Sequence, residues 1–578
     1  MQPYLIQLKT RFLSAVEDIR SKEDQLALAL SLIIGALVGL AVVAFILLTS
    51  RLTFHMYPAA SHAWRRIAGP VLGSLISGFL LVKYFPNARG SGIPQTRAAI
   101  FVNNGRITLR TVIGKFVCCV IALGSGISLG REGPSVQIGS GIASVIAQRL
   151  GLSREQVKWL VPVGASAALA AAFNTPIAAV LFSLEEIMGD LHTPILGSVV
   201  LSSATSWIVL HLFLGDNPLF RVPPYHLVNP SELLIYALLG IIGGFVSVAF
   251  VKLLLAVRVM FKRLPSRTLW IQPVAGGLIV GVMAYFVPEV LGVGYGEVEK
   301  VLGGHVVLYM VVLMLVLKLV ATAVCYSSGN AGGIFGPSLF LGAMVGGATG
   351  TLAHMLAPSI TAGAGAYALV GMGTTFAGVV RTPLTSVIIM FEITRDYSII
   401  VPLMISNLLA FYVSRKFQHQ PIYEALARQD DLHLPKHAGE TRASVRPVSL
   451  AIRESPEPLN ASDAAGDVAS RVDGSSLRSW PVTDEDGLVG MVRVVDVEKA
   501  ASEHPARKVA DLIAGEDEIR RLVHVHVDQP LSVALERMGE SGHDVLPVVS
   551  RANGRLLLGL VTLSEVLRVY GVGGTKTL

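Results

Sequence analysis

Long apolar stretches separated by short polar breaks fill the chain from about residue 25 to residue 430. Leu26–Leu48 carries no charged side chain and is long enough to cross a bilayer, and Ile67–Phe85 predicts a second span. The further apolar runs are Thr111–Leu123, Val157–Ala172, Ile177–Leu184, Ile195–Leu214, Leu233–Leu255, Trp270–Phe286, Val306–Val324, Ser338–Leu356, Ala366–Val380, Leu384–Phe391 and Ile399–Val413. Several are too short to cross alone, and broken helices at membrane depth are tolerated only where they line a cavity or are buried in protein. The pattern predicts an all-α polytopic membrane domain over residues 25–430, of the kind found in transporters and channels.

The two ends of the chain have a different composition. Residues 1–24 are polar and basic, which predicts a cytoplasmic N-terminal helix by the positive-inside rule. Residues 431–444 predict a polar linker, and two similar soluble units follow at 445–503 and 504–573. In the second unit, the alternation in Leu522–Val527 predicts a strand and Leu531–Met538 predicts a helix.

Composition and charge narrow the class of protein. The chain of 578 residues is 52% hydrophobic and 15% charged, whereas soluble domains carry about 25% charged residues. The net charge of +7 is spread without a basic stripe, so nucleic acid is not an expected partner. The sequence has no His-Glu-x-x-His pair, no Gly-x-Ser-x-Gly turn and no phosphate-binding lysine loop. We therefore expect no enzyme activity, no metal site and no resident cofactor.

A glycine-rich polar stretch, Gly124–Gly139, interrupts the apolar sequence and carries Arg131 and Glu132. Gly133-Pro-Ser135 predicts a helix start, because proline suits the first turn of a helix. A helix that begins inside a membrane directs free N–H groups and a positive dipole end into a medium of low dielectric constant, which favours an anion. Glu132 beside it is a candidate functional carboxylate. The alternative is a structural loop whose Arg131 and Glu132 side chains reach the membrane interface.

The membrane domain contains an internal repeat, at about 26–215 and 230–415. With a displacement of 203 positions, Lys115 corresponds to Lys318, Ser125-Gly126 to Ser328-Gly329, and Gly133-Pro-Ser135 to Gly336-Pro-Ser338. After a four-residue insertion the displacement is 207, and Val163-Gly164 corresponds to Val370-Gly371, Ala170 to Ala377, Thr175-Pro176 to Thr382-Pro383, and Glu185 to Glu392. Broken helices at corresponding positions of two halves predict a binding site where the halves meet.

Two further helix starts belong to this predicted site. In the second repeat, the backbone amides of Ile334 and Phe335 precede Pro337, and in the first, Gly90-Ser-Gly-Ile-Pro94 adds the hydroxyl of Ser91. An anion held by amides and hydroxyls keeps the moderate affinity that conduction requires. Lys115 and Lys318 either supply a positive field from a distance or extend to the membrane surface.

These motifs resemble the CLC chloride channel and transporter family. The resemblance rests on Gly90-Ser-Gly-Ile-Pro94, Gly130-Arg-Glu-Gly-Pro134, Gly333-Ile-Phe-Gly-Pro337 and Tyr423 in Pro421-Ile-Tyr-Glu424, and it covers residues 25–430. It implies a homodimer with one pore per subunit, two inverted repeats with discontinuous helices, and a location in the plasma or inner membrane with both termini cytoplasmic.

The resemblance also implies roles for individual residues. Chloride would be held by the hydroxyls of Ser91 and Tyr423 and by the amides of Ile334 and Phe335. Glu132 would be the gating glutamate, with electrostatic support from Arg131 and the two lysines. Serine at position 91 goes with chloride preference in the family, and proline there goes with nitrate.

A second carboxylate bears on whether the protein is a proton-coupled exchanger or a passive channel. Glu186 follows Glu185 in the half-helix that starts at Thr175-Pro176, and it resembles the internal proton-transfer glutamate of family exchangers. Glu185 has a counterpart in Glu392, which suggests a shared structural role, whereas Glu186 aligns with Ile393. The alternative is that both acids face water at a helix end. We expect chloride/proton antiport, with a passive voltage- or pH-gated chloride channel as the alternative.

The two soluble units resemble a pair of CBS domains with an α/β fold. Such pairs bind adenine nucleotides in many proteins, through a Ser/Thr-x-x-Asp pattern at the ribose. The two copies here read Arg493…Asp496 and Thr562…Glu565, so each departs from that pattern. Asp496 and Thr562 are the candidate nucleotide contacts, and a tail that only stabilises a dimer is the alternative.

Overall fold

The computed structural model describes residues 23–58, 62–191, 195–216, 218–223, 225, 227–430, 432, 446–475, 477–513, 523–541, 543–551 and 553–569. The chain divides into two compact units, Met1–Ala438 and Gly439–Leu578. The predicted N-terminal helix at 1–24 and the predicted linker at 431–444 lie outside the described residues, apart from 23, 24 and 432.

The described part of the first unit is α-helical. Its helices are α1 (Glu23–Met56), α2 (Arg65–Lys83), α3 (Ile93–Phe101), α4 (Leu109–Gly124), α5 (Glu132–Arg149), α6 (Arg154–Phe173), α7 (Pro176–Phe182), α8 (Leu196–Leu214), α9 (Glu232–Lys262), α10 (Gln272–Phe286), α11 (Tyr295–Leu302), α12 (Leu308–Ser327), α13 (Phe335–Leu356), α14 (Ala364–Val380), α15 (Pro383–Thr394), α16 (Ile400–Phe417) and α17 (Ile422–Gln429). A π-helical turn, Ser183–Met188, continues α7.

Every apolar run predicted from the sequence overlaps one of these helices, and the runs that extend past a helix end do so by no more than two residues. Within the described ranges, eight helical stretches are long and apolar enough to cross a membrane, and α10, α14 and α15 are shorter apolar helices. The short helices α3, α11 and α17 were not indicated by apolar runs, because they are short and mix polar with apolar positions.

Proline and left-handed residues decide where the broken helices begin and end. The predicted helix starts are confirmed, since α3, α5 and α13 carry Pro94, Pro134 and Pro337 in their first turns. Asn174 and Arg381 correspond in the repeat, and both have positive φ, 61° and 69°, which ends α6 and α14. Each is followed by a Thr-Pro pair that opens the next helix, so both repeats break at the same place.

Small residues let the central helices approach closely. A Cβ atom on Gly139 of α5 would collide with the carbonyl of Gly164 on α6, and one on Gly342 of α13 would collide with the carbonyl of Gly371 on α14. These two helix pairs correspond in the repeat. Such contacts are typical of membrane helices, where packing and not water exclusion drives association.

The second unit contains two small sheets with flanking helices. Its described elements are β1 (Ile452–Arg453), β2 (Leu459–Asn460), α18 (Ala465–Val472), β3 (Ser479–Asp484), β4 (Gly487–Arg493), α19 (Val494–Glu503), α20 (Leu531–Ser541), β5 (Val545–Val549), β6 (Leu557–Thr562) and α21 (Leu563–Val569). One sheet has the order β2-β3-β4 and the other β1-β6-β5. The β3–β4 and β5–β6 pairs are antiparallel, with Trp480 opposite Val492 and Leu546 opposite Val561.

The predicted helix at 531–538 is confirmed by α20, whereas the predicted strand at 522–527 was wrong for its described part. Val525 makes a single parallel bridge with Val548. The next amide, that of His526, donates to Oε1 of Gln529 across 2.9 Å, so it does not form a hydrogen bond with a neighbouring strand. Leu522 lies outside the described residues.

Candidate functional site

Equivalent residues of the two repeats pair with each other at the centre of the membrane unit. The amide of Gly130 donates to the carbonyl of Gly333, and the amide of Gly333 donates to the carbonyl of Gly130, each across 2.7 Å. These glycines are separated by the repeat displacement of 203 positions. An antiparallel bridge between equivalent positions maps onto itself under a two-fold rotation, so the two repeats are related here by a local two-fold axis.

The loop before α3 meets this bridge. A Cβ atom on Gly92 would collide with the carbonyl of Gly133, and a Cβ atom on Gly133 would collide with the carbonyl of Ser91. Gly92 also has φ of +108°, a conformation that glycine adopts without strain. The three predicted helix starts therefore lie together, and their first-turn N–H groups have no partner within their own helices.

The carboxylate of Glu132 lies at the N-terminus of α13. Its Oε2 accepts from the amide of Gly336 across 3.1 Å, and its Oε1 accepts from the hydroxyl of Tyr295. The Arg131 Nε atom is 3.9 Å from Oε1, and the Glu132 side chain is fully buried. A carboxylate that accepts from a helix N-terminus occupies the position of a bound anion. The alternative in which the Glu132 side chain reaches the membrane interface is therefore wrong, because this side chain is fully buried.

The four predicted anion ligands are all buried. The hydroxyls of Ser91 and Tyr423 make no hydrogen bond to another described group. An unsatisfied buried hydroxyl costs about 1–3 kcal/mol, so both are suited to donate to an anion. Ile334 caps α13 and Phe335 is its first residue. The Phe335 ring lies 4.3–5.5 Å from three other phenylalanine rings, those of Phe173, Phe182 and Phe376, which fixes the start of the helix.

Both repeat-related lysines are buried and hold loop carbonyls. Lys115 Nζ donates to the carbonyls of Ala88 and Gly90 across 3.1 and 2.5 Å. Lys318 Nζ donates to those of Val290 and Gly292 across 3.1 and 2.6 Å. Neither ammonium extends to the surface, because each side chain is fully buried. Besides their positive charge, the lysines fix the backbone of two equivalent loops.

Glu186 lies in the π-helical turn and forms a buried ion pair with Arg97 of α3. Arg97 Nη1 donates to Glu186 Oε1 across 2.9 Å, and both side chains are 7% exposed. The alternative in which Glu186 faces water is therefore wrong. Since α3 begins beside Ser91, one short helix connects the candidate anion site with the candidate proton-transfer acid.

Glu185 and Glu392 perform the same structural task in opposite repeats. Glu392 accepts from the amides of Ile177 and Ala178 across 2.9 and 2.6 Å, at the start of α7. Glu185 accepts from the amide and hydroxyl of Thr385 across 2.9 and 2.5 Å, at the start of α15. The shared role predicted from the repeat is confirmed. Each repeat thus supplies the acidic N-terminal partner for a half-helix of the other repeat.

Tyr295 and Arg97 were missed by the sequence reasoning. A signal for Tyr295 exists in the repeat, because Gly90-Ser-Gly-Ile93 corresponds to Gly292-Val-Gly-Tyr295 with a displacement of 202 positions. The only sequence signal for Arg97 is that a cation follows the Gly90–Pro94 loop. This signal for a functional residue is weak, because arginine side chains commonly face water.

In the second unit, the candidate nucleotide contacts bond to their own chain. Arg493 Nε and Nη2 donate to Asp496 across 2.7 and 3.2 Å. The hydroxyl of Thr562 accepts from the amide of Glu565 across 3.2 Å, and Arg568 forms an ion pair with Glu565. In each copy an arginine therefore pairs with the acid of the pattern: Arg493, at a pattern position, with Asp496, and Arg568, outside the pattern, with Glu565.

Comparison with known proteins agrees with this architecture. The family described as voltage gated chloride channel matches residues 73–415, and the family described as CBS domain matches residues 514–571. The chain is 33% identical over 360 residues to the H(+)/Cl(-) exchange transporter ClcA of Vibrio campbellii, covering 61% of this chain and 77% of the relative. The transporter of the same name from Salmonella paratyphi B is 32% identical over 432 residues, covering 71% and 91%.

A solved structure has the same fold. The crystal structure of a slow cyanobacterial Cl-/H+ antiporter superimposes with a TM-score of 0.65 at 27% identity. The alignment covers 70% of this chain and 97% of that chain. The similarity therefore includes nearly the whole of the solved protein.

Proposed function

Because the chain belongs to the voltage gated chloride channel family and ends in a pair of CBS domains, we propose that it exchanges chloride for protons across a membrane. The relatives named as H(+)/Cl(-) exchange transporters support this assignment. The protein acts as a homodimer in the plasma or inner membrane, with one pathway in each subunit and both termini in the cytoplasm.

The observation that carries the proposal is the position of the Glu132 carboxylate. It accepts from the amide of Gly336, in the same first turn of α13 as the Ile334 and Phe335 amides proposed to hold chloride, and so competes with chloride for this helix N-terminus. Protonation removes the negative charge and weakens this bond, because hydrogen bonds to an ionised acceptor are the stronger ones. Glu132 then leaves and chloride takes its place, which couples one proton-binding event to anion movement.

Chloride is held by the hydroxyls of Ser91 and Tyr423 and by the amides of Ile334 and Phe335. Hydroxyl and amide donors replace part of the hydration shell of the ion without a full opposite charge, which allows release. Lys115, Lys318 and Arg131 contribute positive potential nearby. The burial of both hydroxyls without an acceptor in the described structure supports this ligand set.

Protons reach Glu132 from the cytoplasmic side by way of Glu186. An acid is not required by the fold at this position, since Ile393 occupies the equivalent site of the other repeat. The burial of Glu186 and its separation from the helix-capping task of Glu185 support a specific role. Its bond to Arg97 weakens when Glu186 is protonated, because the neutral carboxyl group is a poorer acceptor than the carboxylate.

A passive chloride channel is the second candidate, favoured by the channel description of the matching family. Purified protein in liposomes distinguishes the two. Under an outward chloride gradient, an exchanger drives protons inward and acidifies the lumen even against an opposing proton gradient, whereas a channel moves chloride alone. Chloride flux with no proton movement would replace the exchanger assignment by the channel.

The CBS pair is proposed to stabilise the protein and to regulate it without a tightly bound adenine nucleotide. The arginine contacts to Asp496 and Glu565 support this reading, because they occupy the acids expected at the ribose. Asp496 and Thr562 remain the contacts that a nucleotide would use.

A further inference from the structure

Within the part of the chain that the structure describes, Glu132 accepts hydrogen bonds from two donors, and one of them belongs to the N-terminus of α13. The second is the hydroxyl of Tyr295, which donates to Oε1, while the amide of Gly336 donates to Oε2 across 3.1 Å. Each carboxylate oxygen is therefore fixed separately, which determines the orientation of the group as well as its position.

The Tyr295 ring is itself held in place. It lies edge-on to Phe220 with centroids 5.2 Å apart, and the Arg131 guanidinium carbon lies 5.4 Å above its face. Tyr295 is the first residue of α11, and Gly294 before it has φ of +87°. The hydroxyl is consequently presented from a fixed backbone position, and holding it against the carboxylate costs little side-chain entropy.

The repeat gives this hydroxyl a counterpart. Gly90 and Gly92 correspond to Gly292 and Gly294, and all four glycines have positive φ. A buried lysine holds each loop by the equivalent pair of carbonyls. The first loop presents the hydroxyl of Ser91, whereas valine takes that place in the second loop and the hydroxyl comes from Tyr295.

We propose that Tyr295 is a positioning residue that retains the ionised Glu132 side chain at the N-terminus of α13 and thereby sets how often the anion pathway opens. The inference rests on the proposed function of Glu132 as the gating group. A phenol donates strongly to a carboxylate and more weakly to a neutral carboxyl group. Loss of the Glu132 charge therefore weakens the contacts with both donors together, and the side chain is free to leave the N-terminus of α13.

The test is Tyr295→Phe, which removes the hydroxyl and keeps the ring against Phe220 and Arg131. We expect chloride turnover in liposomes to rise about tenfold. This corresponds to a loss of about 1.4 kcal/mol from the free energy that holds the carboxylate at the helix N-terminus. In a Glu132→Ala background the same substitution should change turnover by less than about twofold, because no carboxylate remains to be held. A structural defect would instead slow transport in both backgrounds.

Tyr225→Phe is the matched control. Its hydroxyl donates to the carbonyl of Leu302, at the other end of α11, so it removes a tyrosine hydrogen bond from the same helix without touching Glu132. Turnover that is unchanged or lowered in Tyr295→Phe, or raised equally in both backgrounds, would overturn the inference. Chloride flux without proton coupling in the native chain would overturn exchange alone, since retention of Glu132 does not require coupling. Native protein that conducts no chloride would overturn both.

Discussion

Arg97 and Glu186 form an ion pair across 2.9 Å, with both side chains 7% exposed. The guanidinium comes from the helix that begins beside Ser91, and the carboxylate comes from the π-helical turn after α7. π-Helical turns are frequent at functional sites. The pair gives the proposed proton-transfer acid a fixed partner, and it changes how that acid should be tested.

Glu186→Gln should abolish coupled proton movement while chloride transport continues. The amide keeps an oxygen for Arg97 but carries no exchangeable acid proton. Glu186→Val is a poorer test, since removing one partner of a buried ion pair destabilises by roughly 3–5 kcal/mol. Liposome pH measured under opposed chloride and proton gradients reports the coupling.

Glu185→Gln is the control for that experiment, because its carboxylate caps α15 and an amide oxygen can still accept from Thr385. Coupling should be retained there. Undiminished proton pumping by Glu186→Gln would remove Glu186 from the proton pathway.

Glu132→Ala should transport chloride without moving protons. The part of the pH dependence of chloride transport that arises from Glu132 should be lost. The alanine side chain neither carries a proton nor accepts from Gly336, so the amide is free to bind the anion. Simultaneous chloride-electrode and pH-electrode recordings from liposomes test this. A mutant that still drives protons uphill with a chloride gradient would contradict the gating assignment.

Ser91→Pro should raise nitrate permeability relative to chloride. The serine hydroxyl donates one directional hydrogen bond that suits a small spherical anion, and proline removes it. Reversal potentials under mixed anions give the ratio. Ser91→Ala is the matched variant, since it deletes the hydroxyl without restraining φ. An anion ranking that is unchanged in both variants would exclude Ser91 from the site.

Truncation after Asp430 should leave a folded, dimeric transport unit with altered regulation. The cut preserves the contacts of Asp430 with Arg258, at 2.7 and 2.8 Å, and with Lys262, at 3.0 Å, which anchor the helix that carries Tyr423. Size-exclusion chromatography and chloride flux in liposomes test the result. Monomeric or inactive protein would show that the tail is needed for assembly.

Calorimetry of the full chain with ATP, ADP or AMP should show weak or no binding. A nucleotide ribose would have to displace the Arg493 contacts to Asp496 and the Arg568 contact to Glu565. The chain truncated after Asp430 is the control for heat that does not come from binding to the CBS pair. Micromolar binding that disappears with the tail would show that Arg493 and Glu565 are tolerated variants of the ribose pattern.

The sequence by itself determined the features that depend on local chemistry and on the repeat. Prolines and glycines predicted the helix starts at Pro94, Pro134 and Pro337, because backbone restrictions act within a few residues. The correspondence of Glu185 with Glu392 predicted a shared role, which proved to be a reciprocal helix cap.

Only the tertiary structure decided which distant side chains meet. Arg97 and Glu186 are 89 positions apart, and Tyr295 and Glu132 are 163 apart. The lysines could have reached water, yet helix packing buries them on loop carbonyls. A buried charge or donor bonds to whichever partner packing brings within about 3 Å. That choice depends on how the two repeats pack around their local two-fold axis, and the order of residues along the chain does not contain it.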